Sequence, residues 1–326
     1  MGTKLYRGVI SGLIYILLLI LFGACTSLVT DGKRVSSDGM SSFPVEITDQ
    51  AGRVIKIDIV PDRIISLAPS ITEILYALEL EDKVVGVTEY CDYPEAAKKN
   101  MKVGGFSTVD IEKVVELEPD LVLAANIHMG EVVTALENLG LTVFIIDPGT
   151  VGEVLEAIEM VGRFTGKKEE ASWMTIEMES RIKVVTDKTM AIPKAQRPSV
   201  FYIVWHDPLM TAGSVTLIQE LISAAGGVSI VENLTEEFPN IGLETVIMAN
   251  PQIVIVGGGH GSGEDLPFIF ALNEPRLAKI EARLNDRVYE IDSDLTSRPG
   301  MRIVDGLEMM AEFIHPELFK DGVHGS

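Results

Sequence analysis

Short apolar runs alternate along most of the chain with stretches in which apolar positions recur every three or four residues. Runs at Ile64 to Leu67, Val84 to Val87, Leu121 to Ala124 and Val143 to Ile146 read as buried strands, and helical spacing at Ile111 to Leu117 and Glu131 to Leu139 falls between them. Strands that alternate with helices in this way predict a largely parallel sheet. Beyond Pro193 and Pro198 the pattern resumes, with strands at Val200 to Val204, Ile253 to Val256 and Val288 to Ile291 and helices at Leu217 to Ala225, Leu243 to Met248 and Arg302 to Ile314. From Val151 to about Met190 no strand pattern is present, and Gly166 is the one obvious interruption of a helical connector. Ahead of all this, "PVEITDQAGRVIKID" (Pro44 to Asp58) alternates around a Gly-containing turn, as a hairpin does.

The two halves repeat one another. "IEKVVELEPDLVLAA" at Ile111 to Ala125 returns as "LETVIMANPQIVIVG" at Leu243 to Gly257, and "TEILYALEL" at Thr72 to Leu80 returns as "QELISAAGG" at Gln219 to Gly227, in the same order. Two copies are too few for a stacked array, so the pattern predicts two lobes of one topology rather than a solenoid.

The chain opens with Lys4 and Arg7, a 14-residue apolar run from Val9 to Phe22 broken by Ser11 and Gly12, and then Gly23-Ala24-Cys25. That order of basic, apolar and small residues describes a secretory signal, and the run is short of the roughly 20 residues that span a bilayer. "LFGAC" resembles a bacterial lipobox, which implies that residues 1–24 are removed and that Cys25 carries lipid. Cys91 would then have no disulfide partner, and the exported protein must rely on its core. "TSLVTDGKRVSSDGMSS" has no apolar period and reads as a tether, so residues 25–43 link the anchor to the folded part. The expected organisation is an N-terminal α/β lobe over 44–148, a helical connector over 149–192 and a C-terminal α/β lobe over 193–326.

A formal net charge of -21 excludes a phosphate-binding surface as the main feature, and losing the basic leader makes it more negative. No nucleic-acid partner is expected. The chain has no G-x-S-x-G elbow and no phosphate loop, and in "GGGHGSG" (Gly257 to Gly263) the third glycine position of a dinucleotide loop falls on Ser262. In open α/β sheets ligands sit beyond the carboxyl ends of the strands. The residues there are Pro69, Ser70, Tyr90, Asn126, His128, Trp205, His206, Gly258, His260, Asp292 and Arg298, with Phe106 in "VGGFS" beside them. Tyr90, Phe106 and Trp205 offer broad apolar area suited to a large planar or macrocyclic ligand. A loop histidine is a candidate axial ligand to a chelated metal, but the sequence displays no metal-ligand set of the protein's own.

"RIISLAPSITEILYAL", "VGVTEYCDYPEAAKKNMKVGGFSTVDIEKVVELEPDLVLA", "WHDPLMTAGSVTLIQELISAAGG" and "SRPGMRIVDGLEMMAEFIHPE" together resemble the substrate-binding proteins of ABC importers for cobalamin and ferric siderophores, over roughly Pro44 to Phe319. The resemblance implies two α/β lobes with mainly parallel sheets, bridged by a long helix, with the ligand cleft between them. It implies a lipid-anchored binding protein on the outer face of the cell membrane, not an enzyme, that serves a permease dimer with its ATPase subunits. The wording around Trp205 is most similar to the cobalamin binders. A corrinoid is therefore the expected cargo, a ferric siderophore or haem the alternative, and an extracytoplasmic enzyme acting on a metal chelate the reading from another class. No cofactor is expected, since the corrinoid is what is carried. The resemblance also implies that Glu73 and Glu220, at equivalent places in the two copies, dock against permease arginines. Ser70 and Glu73 spell a helix capping box as well.

Overall fold

The computed structural model describes residues 43–259, 266–320 and 323. The proposed signal, Cys25, most of the tether and His260 lie outside them. No helix among the described residues is long and apolar enough to cross a membrane.

The first hairpin pairs β1 (Val45–Thr48) with β2 (Val54–Ile57), antiparallel, with Val45 opposite Ile57. The chain then builds a five-stranded parallel sheet from β3 (Ile64–Ser66), β4 (Val84–Val87), β5 (Met101–Lys102), β6 (Leu121–Ala124) and β7 (Val143–Ile145), in the order β5-β4-β3-β6-β7. Its helices are α1 (Pro69–Ala77), α2 (Ile111–Glu116) and α3 (Glu131–Asn138). Two helices follow, α4 (Val151–Thr165) and α5 (Lys168–Thr189).

The second lobe begins with β8 (Ser199–Ile203) and the small hairpin β9 (Trp205–His206) and β10 (Leu209–Met210). It continues through α6 (Leu217–Ala224), β11 (Val228–Ser229), α7 (Leu243–Ala249), β12 (Ile253–Gly258), α8 (Leu266–Asn273), α9 (Glu281–Leu284), β13 (Val288–Asp292), α10 (Asp294–Ser297) and α11 (Ile303–Ile314). Its sheet is parallel too, in the order β11-β8-β12-β13.

The two sheets share one plan. Each starts at an inner strand (β3, β8), grows outward on one side (β4 and β5; β11), then crosses back to add strands on the other (β6 and β7; β12 and β13). The reversal points lie between β3 and β6 and between β8 and β12, the places where doubly wound sheets open a crevice. The repeated sequences map onto this plan, since α2–β6 and α7–β12 are the returning units and α1 and α6 are the helices that follow the first strands. A helix cannot run into a proline, because the preceding residue is driven out of the right-handed region. Ahead of Pro119 and Pro251 the chain instead turns through left-handed residues, Glu118 (φ 42°) and Asn250 (φ 46°).

The connector is a hairpin of two helices rather than one. Gly166 ends α4 in the left-handed conformation (φ 78°), which costs glycine no Cβ clash. The helices pack so closely that a Cβ on Gly162 would collide with the Ala171 Cβ and the Lys167 carbonyl. Thr175 Oγ donates to Glu159 at 2.7 Å across the pair. The second helix, 22 residues long and so about 33 Å, returns along the molecule and is fastened to α11 by Arg181, which donates to Asp305 and to Glu308.

One apolar core includes the inner helices of both lobes and both connector helices, from Ile71 and Leu75 through Val161 and Phe164 to Leu221, Leu307 and Met310. Separate clusters fill the outer face of each sheet. Swinging one lobe against the other would open buried apolar contacts, so the packing favours a fixed lobe arrangement.

Candidate functional site

A cavity of about 670 Å³ lies between the lobes. Every strand of the first sheet sends its following loop there: Ala68 to Ser70 after β3, Tyr90 after β4, Phe106 and Ser107 after β5, Ala125 after β6, and Asp147 to Gly149 after β7. The facing wall carries Val215 to Ile218 at the start of α6, Glu237 and Phe238 after β11, and Thr296 to Pro299 after β13.

Five of the sequence-predicted ligand contacts, Pro69, Ser70, Tyr90, Phe106 and Arg298, line this cavity. Asn126, His128, Trp205, His206, Gly258 and Asp292 are not in its lining, and several of them support it from behind. His128 is 1% exposed, with Nδ1 accepting from the Ala125 N–H at 3.0 Å and Nε2 donating to the Phe106 carbonyl at 2.7 Å. Its ring meets Phe106 edge-on at 5.4 Å. With both nitrogens engaged it fixes the Phe106 loop and is not placed to ligate a metal in the cleft. Asn126 hydrogen-bonds Asp147 through backbone and side chain. The walls around Asp147 desolvate its carboxyl and hold it above the ordinary range, which these bonds offset in part. Asp292 accepts from the Asp294 N–H at 2.9 Å, and the Gly258 carbonyl from the Ser293 N–H at 3.0 Å. Both anchor the turn into α10, as does buried Tyr202, whose hydroxyl lies 2.8 Å from Thr296 Oγ1 and is pushed up to about 12 by burial. Trp205 and His206 form β9, with the two rings 5.0 Å apart and His206 6.0 Å from Phe270.

Glu237, Phe238 and Asp147 are cleft residues that the sequence reading passed over. Phe238 follows β11, a two-residue strand with no readable period. Its wording was nevertheless a signal: Asp92-Tyr93-Pro94 after β4 and Glu237-Phe238-Pro239 after β11 are equivalent loops with the same acid-aromatic-proline order.

Glu73 requires a correction. Its side chain is 1% exposed, and no side-chain hydrogen bond caps α1, whose N-cap is Ala68. It is therefore neither a surface docking group nor half of a capping box. It reaches across to the second lobe, where Arg302 donates to both carboxylate oxygens at 2.8 and 2.6 Å and Arg298 lies 3.3 Å away. Arg302 also stacks over Tyr93 at 4.0 Å. Arg298 is shared further with Asp92 and Asp294, each at 2.8 Å. Burial works against the Asp92 charge, but the Arg298 guanidinium prevails and holds its carboxyl below the usual range. Glu220, the counterpart of Glu73, is half-buried and accepts from the Val151 N–H at 2.9 Å, at the positive end of α4.

A two-lobed α/β chain with a rigid helical spine and a loop-lined cleft is a frame for holding a ligand. The sequence model for periplasmic binding proteins matches residues 64–295. The chain belongs to the periplasmic binding protein family. It is 32% identical over 311 residues, 94% of this chain and 96% of the relative, to YvrC of Bacillus subtilis, an uncharacterized ABC transporter substrate-binding lipoprotein. It is 31% identical over 290 residues to a cobalamin-binding protein of Halobacterium salinarum, covering 87% of this chain and 77% of that one. The crystal structure of the periplasmic vitamin B12 binding protein BtuF of Vibrio cholerae is similar with a TM-score of 0.67 and 27% identity, over 79% of this chain and 98% of that one. As a family member the chain is a substrate-binding protein of the ABC-importer type, and its family is one of extracytoplasmic binding proteins rather than enzymes.

Proposed function

We propose that this protein is a lipid-anchored receptor that captures cobalamin or a related corrinoid outside the cell membrane and delivers it to an ABC permease dimer driven by ATPase subunits. The observation that carries the reading is the chemistry of the cleft. Tyr90 and Phe106 on one wall and Phe238 on the other are broad apolar faces, and among the described residues the lining has no histidine, methionine or cysteine. Arg298 is its only basic side chain among the described residues, and three carboxylates already engage it. Ferric siderophores built on catecholates, and the propionates of haem, are anionic and call for uncommitted cations. A corrin ring edged with neutral amides does not.

Anchoring at Cys25 rests on the lipobox-like leader and on the lipoprotein relative.

Thermal unfolding in the presence of candidate ligands tests the cargo. A ligand at 100 times its Kd adds about 2.7 kcal/mol by mass action, so cyanocobalamin or cobinamide is expected to raise Tm by several degrees, with ferric enterobactin and haemin leaving it in place. A shift with either iron chelate and none with the corrinoids would overturn the corrinoid reading and leave the family intact.

A further inference from the structure

Among the described residues, the charged side chains that line the cleft are Asp147, Glu237 and Arg298. Arg298 brings no spare positive charge to a ligand. Together with Arg302 it faces Glu73, Asp92 and Asp294, so this rim cluster has three carboxylates against two guanidinium groups. Asp147 from the first lobe and Glu237 from the second form no ion pair with a lysine or arginine among the described residues, and the histidine near Asp147, His128, has both ring nitrogens engaged by backbone. The hydrogen bonds from Asn126 hold the Asp147 carboxylate in place. A ligand lying against Tyr90 and Phe238 therefore has a carboxylate from each lobe nearby and, among the described residues, no uncommitted lysine or arginine in the lining.

We propose that Asp147 and Glu237 make the cleft a charge selector that favours positively charged corrinoids, such as cyano-corrinoids lacking the nucleotide phosphodiester, over neutral and anionic ones. This rests on the corrinoid reading above. Cyanocobalamin is neutral because its phosphodiester cancels the one positive charge left on the cobalt, corrin and cyanide core. Monocyano-cobinamide has lost the phosphodiester and keeps that charge. Hydrolysis of one peripheral amide of cyanocobalamin to a carboxylate gives a negative ligand of nearly unchanged shape. At contact distances in an open, hydrated cleft, each carboxylate is worth about five- to tenfold in affinity per unit of ligand charge, and salt reduces that.

The test is calorimetric titration of the full-length protein with monocyano-cobinamide, cyanocobalamin and a cyanocobalamin monocarboxylate, at low and at physiological salt. The monocarboxylate is expected to bind at least tenfold more weakly than cyanocobalamin, cobinamide most tightly of the three, and the spread is expected to narrow as salt rises. Asp147→Asn with Glu237→Gln should bring cyanocobalamin and its monocarboxylate to within about twofold. Glu237 is on an exposed loop, so Glu237→Gln alone folds and should close part of the gap. Equal binding of cyanocobalamin and its monocarboxylate by the wild type, or a gap that persists unchanged in both variants, would overturn the selector. Failure of all three ligands to bind would instead remove the corrinoid reading on which it stands.

Discussion

Arg302→Ala should lower the unfolding free energy by about 3 kcal/mol and Tm by about 5 °C. The reason is the carboxylate it abandons. Glu73 is buried with 1% of its side chain exposed, and Arg302 supplies both of its short hydrogen bonds. Removing one partner of such a pair leaves an uncompensated buried charge, which costs far more than the pair contributes. Arg298, 3.3 Å from Glu73, softens the loss but is already shared with Asp92 and Asp294. Replacing both partners, as in Glu73→Leu with Arg302→Leu, should recover most of the stability, because no charge is then stranded. Since the pair joins the two lobes, the single variant should also speed proteolysis at the cleft loops. A Tm within about 1 °C of wild type would mean that Glu73 is solvated in solution. It follows that reversing the charge of Glu73 tests the fold before it tests docking, whereas Glu220, half-buried at a helix end, remains the cleaner probe of permease contact.

The misreading of Glu73 illustrates where sequence stops being legible. Strands β3, β4, β6, β7, β8, β12 and β13 and helices α2, α3, α6, α7 and α11 were readable because each is an apolar run or an amphipathic period set off by prolines and glycines, whereas α8 and α9, between β12 and β13, were not read. The duplication was readable for the same reason, and with it the existence of a cleft. Strands β5 and β11 have two residues each, too few for any period. Without β11 the loop that carries Glu237 and Phe238 could not be assigned to a strand end, so half of one cleft wall was missed. Glu73 sits three residues after Ser70, which is a strong local signal for a cap. Its actual partners are more than 220 residues away and carry no local signature. His128 was legible as a loop histidine, but its two backbone partners were not.

The aromatic walls should dominate binding. Tyr90 is 60% exposed and Phe238 41% exposed, both in the lining of the cleft, and they come from equivalent loops of opposite lobes. Exposed aromatics on a binding protein offer large contact area with few rotatable bonds to freeze. Truncating such anchors commonly costs more than 2 kcal/mol when they sit at the centre of an interface. Tyr90→Ala with Phe238→Ala is therefore expected to weaken corrinoid binding about 100-fold or more, with Tm of the free protein nearly unchanged because neither side chain is in the core. Trp173→Ala, on the outer face of the connector and 68% exposed, should leave affinity as it was. A double variant that binds within threefold of wild type would move the ligand away from these walls.

The most direct measurement is a titration of the wild-type protein with cyanocobalamin, followed by gel filtration read at the absorbance of the corrin ring. A one-to-one coloured complex that co-elutes with the protein, and that ferric enterobactin and haemin do not displace, is the result predicted here. Elution of all corrin colour with free ligand, while an iron chelate travels with the protein, would contradict the assignment of the cleft to corrinoids.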